Sequence, residues 1–343
     1  MAADIHGKMF YSFEKPAWHN IVEPSMVQRT ATEILEEEFD GGISIDLRPA
    51  IVHLNGVDVE TGDFAIVRSP SSGDDLGEIV FGYATDRFHP LQPAEIAKCF
   101  DESVKEFAET MAFLGKGQEM FISWKMPSFD VRVGDSVDMY GIVKSGFDTL
   151  TGTSLFTSIY RPVCRNTLTM AEGWAKKNTD RSSNKGSIWK GKAVNKNLLR
   201  DLGYWFSHVQ GKALAEGELL QNFFGTLAET PIKGSDEVLG ILKDAYPNKE
   251  DISAYYPVEL RSGKEETTLE FNQKQEGIRV GIFDLFYNTG TEISRDYWGV
   301  LNATTEYFCN VQPSKRPIAE SVMFGGRQKS MMQMVNTLSR RVK

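Results

Sequence analysis

An α+β fold with a helical second half is what the sequence predicts, and three observations carry the expectation. Short β-rich segments cluster before residue 160 and are separated by Gly and Asp turns. One long segment of helical period, opened by Pro93, stands between the two clusters. Beyond Arg200 the apolar residues recur at helical spacing almost to the C-terminus. Runs of strands with helices set apart from them are the pattern of antiparallel sheets covered by helices, not of a parallel doubly wound sheet. The expected organisation is an α+β core over 1–200, whose last part 161–200 is basic, and a mainly helical region 201–343 packed on that core.

In order, an extended N-terminal arm holds Trp18 and His19, and Thr30 to Phe39 reads as a short helix with Ala31, Ile34 and Leu35 inward. Its run Glu36 to Glu38 is the wet face. Ile43–Ile45, Ala50–Leu54, Phe64–Val67 and Glu78–Tyr83 read as strands of an antiparallel meander, with Pro70 to Asp75 as a loop. Pro93 opens a helix in which Ile96, Phe100, Val104, Phe107 and Met111 recur every three or four residues until Gly115, so one face must lie against a sheet. Glu119–Trp124, Val131–Val143 and Ser154–Tyr160 supply a second meander, and a helix is expected to begin near Arg165 or Asn166. Later helices carry Leu198, Leu202, Trp205 and Val209, then Leu219, Phe223 and Leu227, on one face. Ser235 is placed as the cap of a helix containing Val238, Leu239 and Leu242, with Pro247 beyond its end. Leu269–Tyr287, interrupted by Gly277 and Gly281, reads as another helix, and Gln328–Val342 as the last, with Met331, Met334, Val335 and Leu338 on one side. These late apolar faces exceed what the core is expected to cover, which predicts self-association.

The chain of 343 residues has net charge -9, yet the charge is unevenly spread. Residues 1–160 carry a net -14 and residues 201–343 a net -3, whereas 161–200 carries +8 from ten basic and two acidic side chains. A concentrated basic stretch is the footprint of contact with a polyanion, since each neutralised phosphate releases a condensed counterion. The plainer reading of a charge run is a solvated surface. Trp189 sits among Lys185, Lys190 and Lys192 in a glycine-flanked segment, where an indole can stack on an unpaired base while ammonium groups hold phosphates; the competing reading folds that indole inward. Arg161, Arg165, Lys176, Lys177, Arg181, Lys185, Trp189, Lys190, Lys192 and Lys196 are the candidate nucleic-acid-binding residues. No helix-turn-helix or zinc-finger pattern points to duplex reading.

Other chemistry is poorly supported. No apolar run approaches the roughly 18–20 residues that span a bilayer, and Met1 to Pro16 carries charges where a leader needs an apolar centre, so the chain reads as cytoplasmic with no membrane partner. Cys99, Cys164 and Cys309 lack a C-x-x-C spacing, the five histidines are scattered, and no phosphate loop or nucleophile elbow occurs, so no cofactor, metal or catalytic residue is expected. Cys164 beside Arg165 is a conceivable nucleophile, with a buried thiol as the competing reading. Glu292 and Asp296, four apart, would share a helix face, which by itself marks no acid–base pair.

Four strings carry a family resemblance: Pro16-Ala-Trp18-His19, Gly82-Tyr-Ala-Thr-Asp-Arg-Phe-His-Pro-Leu91, Arg161-Pro-Val-Cys164-Arg-Asn166-Thr167-Leu168 and Trp298-Gly-Val-Leu-Asn302-Ala-Thr-Thr-Glu306-Tyr307. Together they resemble the phage and plasmid proteins grouped as DUF932, which implies a mobile-element setting and no settled activity. Members commonly carry an R-H-T string after the C-x-N-T-L element, where this chain has Lys185-Gly-Ser-Ile-Trp-Lys190. The order of elements resembles, more distantly, the RecT and Redβ single-strand annealing proteins, which implies rings or filaments holding a strand by its backbone in a basic groove. Binding and annealing of single-stranded nucleic acid, DNA first, by a homo-oligomer is therefore the leading expectation. The alternatives are a non-catalytic interaction protein, acting in counter-defence or as a replication scaffold, and a nucleic-acid-processing enzyme using Glu306 or Cys164.

Overall fold

The computed structural model describes residues 5–13, 25–70, 76–149, 151–161, 166–169, 189–191, 197–248, 265–288, 293–313 and 326–342. It is α+β, with antiparallel sheets and a helical C-terminal half. β1 (Ile5–Ser12) is followed by α1 (Ala31–Glu33), which continues as a π-turn over Ile34–Glu38. The first meander is β2 (Ser44–Leu54), β3 (Val57–Ser69) and β4 (Ile79–Ala84), and α2 (Pro93–Ser103) comes next. Then follow β5 (Thr110–Leu114), β6 (Glu119–Arg132), β7 (Asp135–Gly146), β8 (Thr153–Arg161), β9 (Asn166–Thr169) and β10 (Trp189–Gly191). The helical half holds α3 (Leu198–Glu229), α4 (Ser235–Ala245), α5 (Glu265–Asn288), α6 (Tyr297–Glu306) and α7 (Gly326–Arg341).

Among the described residues β2-β3-β4 is one sheet, and the order β1-β5-β6-β7-β8-β10, with β9 also on β8, is the other. The N-terminal arm is thus in part a strand: Phe10, Tyr11 and Ser12 of β1 face Ala112, Met111 and Thr110 of β5. Trp18 and His19 lie outside the described residues, as does Ser71 to Asp75 of the expected loop.

Packing divides the chain into two units. The first comprises Met1–Ser128, Asp138–Ile159 and Met170–Gly217. Its short α1 is held at the N-terminus by Asp101 of α2, whose carboxylate accepts from the Ala31 and Thr32 amides at 2.8 and 2.9 Å, while Thr30 and Glu33 close a capping box. These bonds satisfy donors that a helix start otherwise leaves open. Ala31, Ile34 and Leu35 are buried and Glu36–Glu38 exposed, as the pattern predicts. At the centre of the unit Trp124 of β6, Phe100 of α2 and Phe206 of α3 meet edge to face, with ring centres 5.5, 5.6 and 5.9 Å apart.

The helix opened by Pro93 is shorter than its periodicity predicts. It ends at Ser103 because Val104 turns to an extended conformation, and Thr110–Leu114 pairs with β6 and β1. Met111 is therefore buried in a strand, and Phe107, expected inside, is exposed. The helix expected at Asn166 is also corrected: Asn166–Thr169 is strand β9. The predicted strand over Val131–Val143 spans a turn at Val133 and Gly134, between β6 and β7.

The second unit comprises Phe129–Val137, Tyr160–Thr169 and Glu218–Lys343. The β6–β7 tip supplies Phe129, stacked on Phe224 of α3, which in turn meets Trp298 of α6 at 4.8 Å between ring centres. Gly281 of α5 lies under Tyr307, where an added Cβ would come within 2.3 Å of the ring, so glycine here permits close packing and does not interrupt the helix. Met331, Met334, Val335 and Leu338 of α7 are buried, with α7 packed against α4 and α6. The surplus apolar face expected on that helix does not exist, because its own unit covers it. Ser235 is the first helical residue of α4, not its cap, and Glu237 takes the Lys233 amide at 2.7 Å instead. Leu239 is exposed and Ile241 takes the inner position.

Candidate nucleic-acid interface

The basic stretch leaves the large sheet and returns to it. Arg161 ends β8, and Trp189 and Lys190 begin β10, where Trp189 pairs with Leu155, Lys190 with Ser154 and Gly191 with Thr153. β10 is thus the last strand on its side of the hydrogen-bonding order among the described residues. Pairing fixes the backbone of Trp189 and Lys190 as an outer strand. Arg165, Lys176, Lys177, Arg181, Lys185, Lys192 and Lys196 lie outside the described residues, and so does Cys164.

The last residues of the stretch, from Leu198, already belong to α3, whose first turns sort residues by phase. Leu198, Leu202 and Phe206 are buried, so Arg200, Tyr204 and His208, at i, i+4 and i+8, form the opposite, exposed face. The Tyr204 and His208 rings stack with centres 4.0 Å apart and planes at 26°. His208 Nδ1 lies 2.7 Å from the Tyr204 carbonyl. A carbonyl only accepts, so Nδ1 carries the proton and donates, which holds the imidazole over the phenol. The Arg200 side chain is 77% exposed and only 3.9 Å from the Asp201 carboxylate, a loose contact that leaves the guanidinium available to an anion. An exposed flat aromatic pair beside a cation is the equipment for stacking an unpaired base and neutralising its phosphate. Sequence reasoning missed Tyr204 and His208 because it placed Trp205 on the inner face. The neighbouring Phe206 holds that position, and the phase moves by one residue.

Glu306 accepts from the Asn310 amide at 2.9 Å at the end of α6. Cys99 is buried, and burial pushes its thiol pKa up, away from reactivity. Asp296 precedes α6 as its N-cap and is not a helical partner of Glu292, which lies outside the described residues. No group of three or more His, Cys, Asp or Glu among the described residues could hold a metal ion. No described helix is long and apolar enough to cross a membrane.

Two of the four family strings are visible in full or nearly so. Gly82 to Leu91 finishes β4 and turns, anchored by buried Phe88 and Leu91 while Asp86, Arg87 and His89 are exposed. Trp298 to Tyr307 is all of α6 but its first residue, plus the first residue of a π-turn over Tyr307–Val311, and Trp298, Gly299, Asn302 and Thr304 in it are buried. A model of the family described as Domain of unknown function (DUF932) matches this sequence. Residues 80–184 are the matched DUF932 segment. That segment takes in Arg161, Arg165, Lys176, Lys177 and Arg181 and stops before Lys185, so the lysines around Trp189 and the α3 row lie beyond the DUF932 match. Neither curated proteins nor solved structures give a significant match. The likeness to RecT and Redβ accordingly rests on element order alone.

Proposed function

We propose that the protein binds single-stranded DNA through its basic stretch, without catalysis, and promotes strand annealing in phage or plasmid recombination or replication in the host cytoplasm. The observation that carries this reading is the exposed Arg200–Tyr204–His208 row, which in sequence continues nine preceding basic residues into a stacking surface. Backbone phosphates fall to Arg161, Arg165, Lys176, Lys177, Arg181, Lys185, Lys190, Lys192 and Lys196, and bases to Trp189 and the α3 pair. A groove needs only local potential, so the acidic remainder of the chain does not oppose it. Assembly of several copies along one strand, as a ring or filament, belongs to the same reading.

A labelled oligonucleotide, single-stranded or annealed to its complement, tests it. The single strand is expected to bind more tightly than the duplex. Tyr204→Ala is expected to weaken single-strand binding by about 1 to 3 kcal/mol, roughly 5- to 150-fold, with an unchanged melting temperature because the ring is exposed. Equal affinity for parent and Tyr204→Ala would remove the stacking surface from the account, and tighter duplex binding would remove the single-strand reading.

A further inference from the structure

The β2–β3 hairpin extends past the third strand of its sheet. β4 pairs only with Phe64–Arg68, and a bulge at Thr61–Asp63, with Gly62 at φ +80° and the Thr61 hydroxyl donating to the Ala50 carbonyl at 3.1 Å, sets the outer part off as an arm. The arm turns at Asn55-Gly56, both at positive φ (51° and 82°), a two-residue hairpin turn. Val52 pairs with Val59 and Leu54 with Val57, so all four side chains stand on one face. They are 43% to 62% exposed. The other face carries Ile51, Glu60 and the His53–Asp58 pair, whose atoms are 2.8 Å apart. Two strands alone are marginally stable in water, and an apolar face and two edges that no described residue covers or pairs form a pairing site.

We propose that this face packs against the same face of a second copy of the chain. The face carries no charge, whereas the opposite one holds Asp58 and Glu60; face-to-face pairing buries eight apolar side chains and leaves both acidic faces in water, so like charges never meet. An anionic partner would be repelled by the acidic side, and a cationic one would choose it over the apolar side. The area sets the strength: four half-exposed side chains per copy bury on the order of 300 Å², well under half of the roughly 800 Å² per partner in a standard interface, so the contact is weak and reversible. Being isologous, it pairs copies and stops; a ring or filament needs a second, different contact. The inference deepens the assembly half of the proposed function and rests on it.

Sedimentation velocity over a wide concentration range, with the full chain and without nucleic acid, tests it. The parent is expected to show a concentration-dependent dimer, and Leu54→Lys combined with Val57→Lys to weaken it at least tenfold at an unchanged melting temperature. Under mild oxidation Leu54→Cys is expected to cross-link copies well above the parent, and His53→Cys, on the other face, is not. A parent that stays monomeric, a dimer indifferent to the double lysine variant, or equal cross-linking from positions 53 and 54 would overturn the proposal. So would arm-dependent flotation of a monomeric parent with phosphatidylcholine vesicles. Oligonucleotide affinity is measured separately on the parent and the double variant: a parent that dimerises through the arm without binding the strand removes the strand reading alone, and a parent that binds the strand without dimerising removes the arm.

Discussion

Gly141→Ala is expected to destabilise the first unit by about 3 kcal/mol or more, among the largest effects of any single methyl group in the chain. An added Cβ would lie 2.1 Å from Cζ2 and 2.2 Å from Cε2 of Trp124, far inside van der Waals contact. Relief would require the indole to move. Trp124 is fully buried in edge contact with Phe100 and Phe206, so moving it disturbs packed neighbours and the backbone of β7 shifts instead. Calorimetry or thermal melting followed by circular dichroism should show a drop of roughly 6–12 °C for a unit of this size. Trp124→Leu alone should also destabilise, by leaving a cavity. Combined with Gly141→Ala, however, it should lose less than the sum of the two, since each change relieves the other. Full additivity would show that the methyl clashes with something other than the indole.

Asp296→Ala is the second large effect, and it falls on the other unit. The Asp296 carboxylate caps α6, Oδ1 accepting from the Gly299 amide at 2.7 Å and from the Ser294 hydroxyl at 2.6 Å, and Oδ2 accepts from Arg132 at 3.1 Å. Arg132 also reaches Asp135, which in turn takes the Trp298 indole N–H at 2.9 Å. Losing an N-cap costs about 1 kcal/mol, and leaving its buried partners unsatisfied adds to that, so about 2 to 4 kcal/mol is expected after allowing for the partial exposure of Arg132. Asp296→Asn keeps an acceptor for the Gly299 amide and should lose less than half as much in a urea titration. A variant with alanine that unfolds at the parent's midpoint would show that α6 is held by packing alone.

The strand and helix order was legible because period-2 and period-3.6 patterns are local. Gly and Asp mark the first meander, and the apolar stripe of α7 marks a face that its own unit buries. Three features were not legible, each for a stated reason. Val104, Phe107 and Met111 prolong the helical period of α2, and only pairing with β1 and β6 decides that Thr110–Leu114 is a strand. Trp205 and Phe206 are adjacent aromatics, so periodicity alone could not tell which one faces inward, and that choice decides whether Tyr204 and His208 reach solvent. The exposed face of the arm reads as ordinary strand alternation in sequence, and its exposure among the described residues is visible only in the fold. The basic stretch was legible throughout, because net charge needs no fold.

The most direct test of strand binding by the basic stretch is a salt titration of oligonucleotide affinity with Lys185, Lys190 and Lys192 all replaced by alanine. Each phosphate contact to a single strand contributes about -0.7 to the slope of log affinity against log salt, so losing three should flatten the slope by roughly 2 and weaken binding to every sequence. Trp189→Ala serves as the internal contrast: stacking releases no counterion, so affinity should fall by about 1 to 3 kcal/mol at a nearly constant slope. If the triple-lysine variant binds as tightly as the parent and with the same slope, the stretch is a solvated face and the proposed function is wrong.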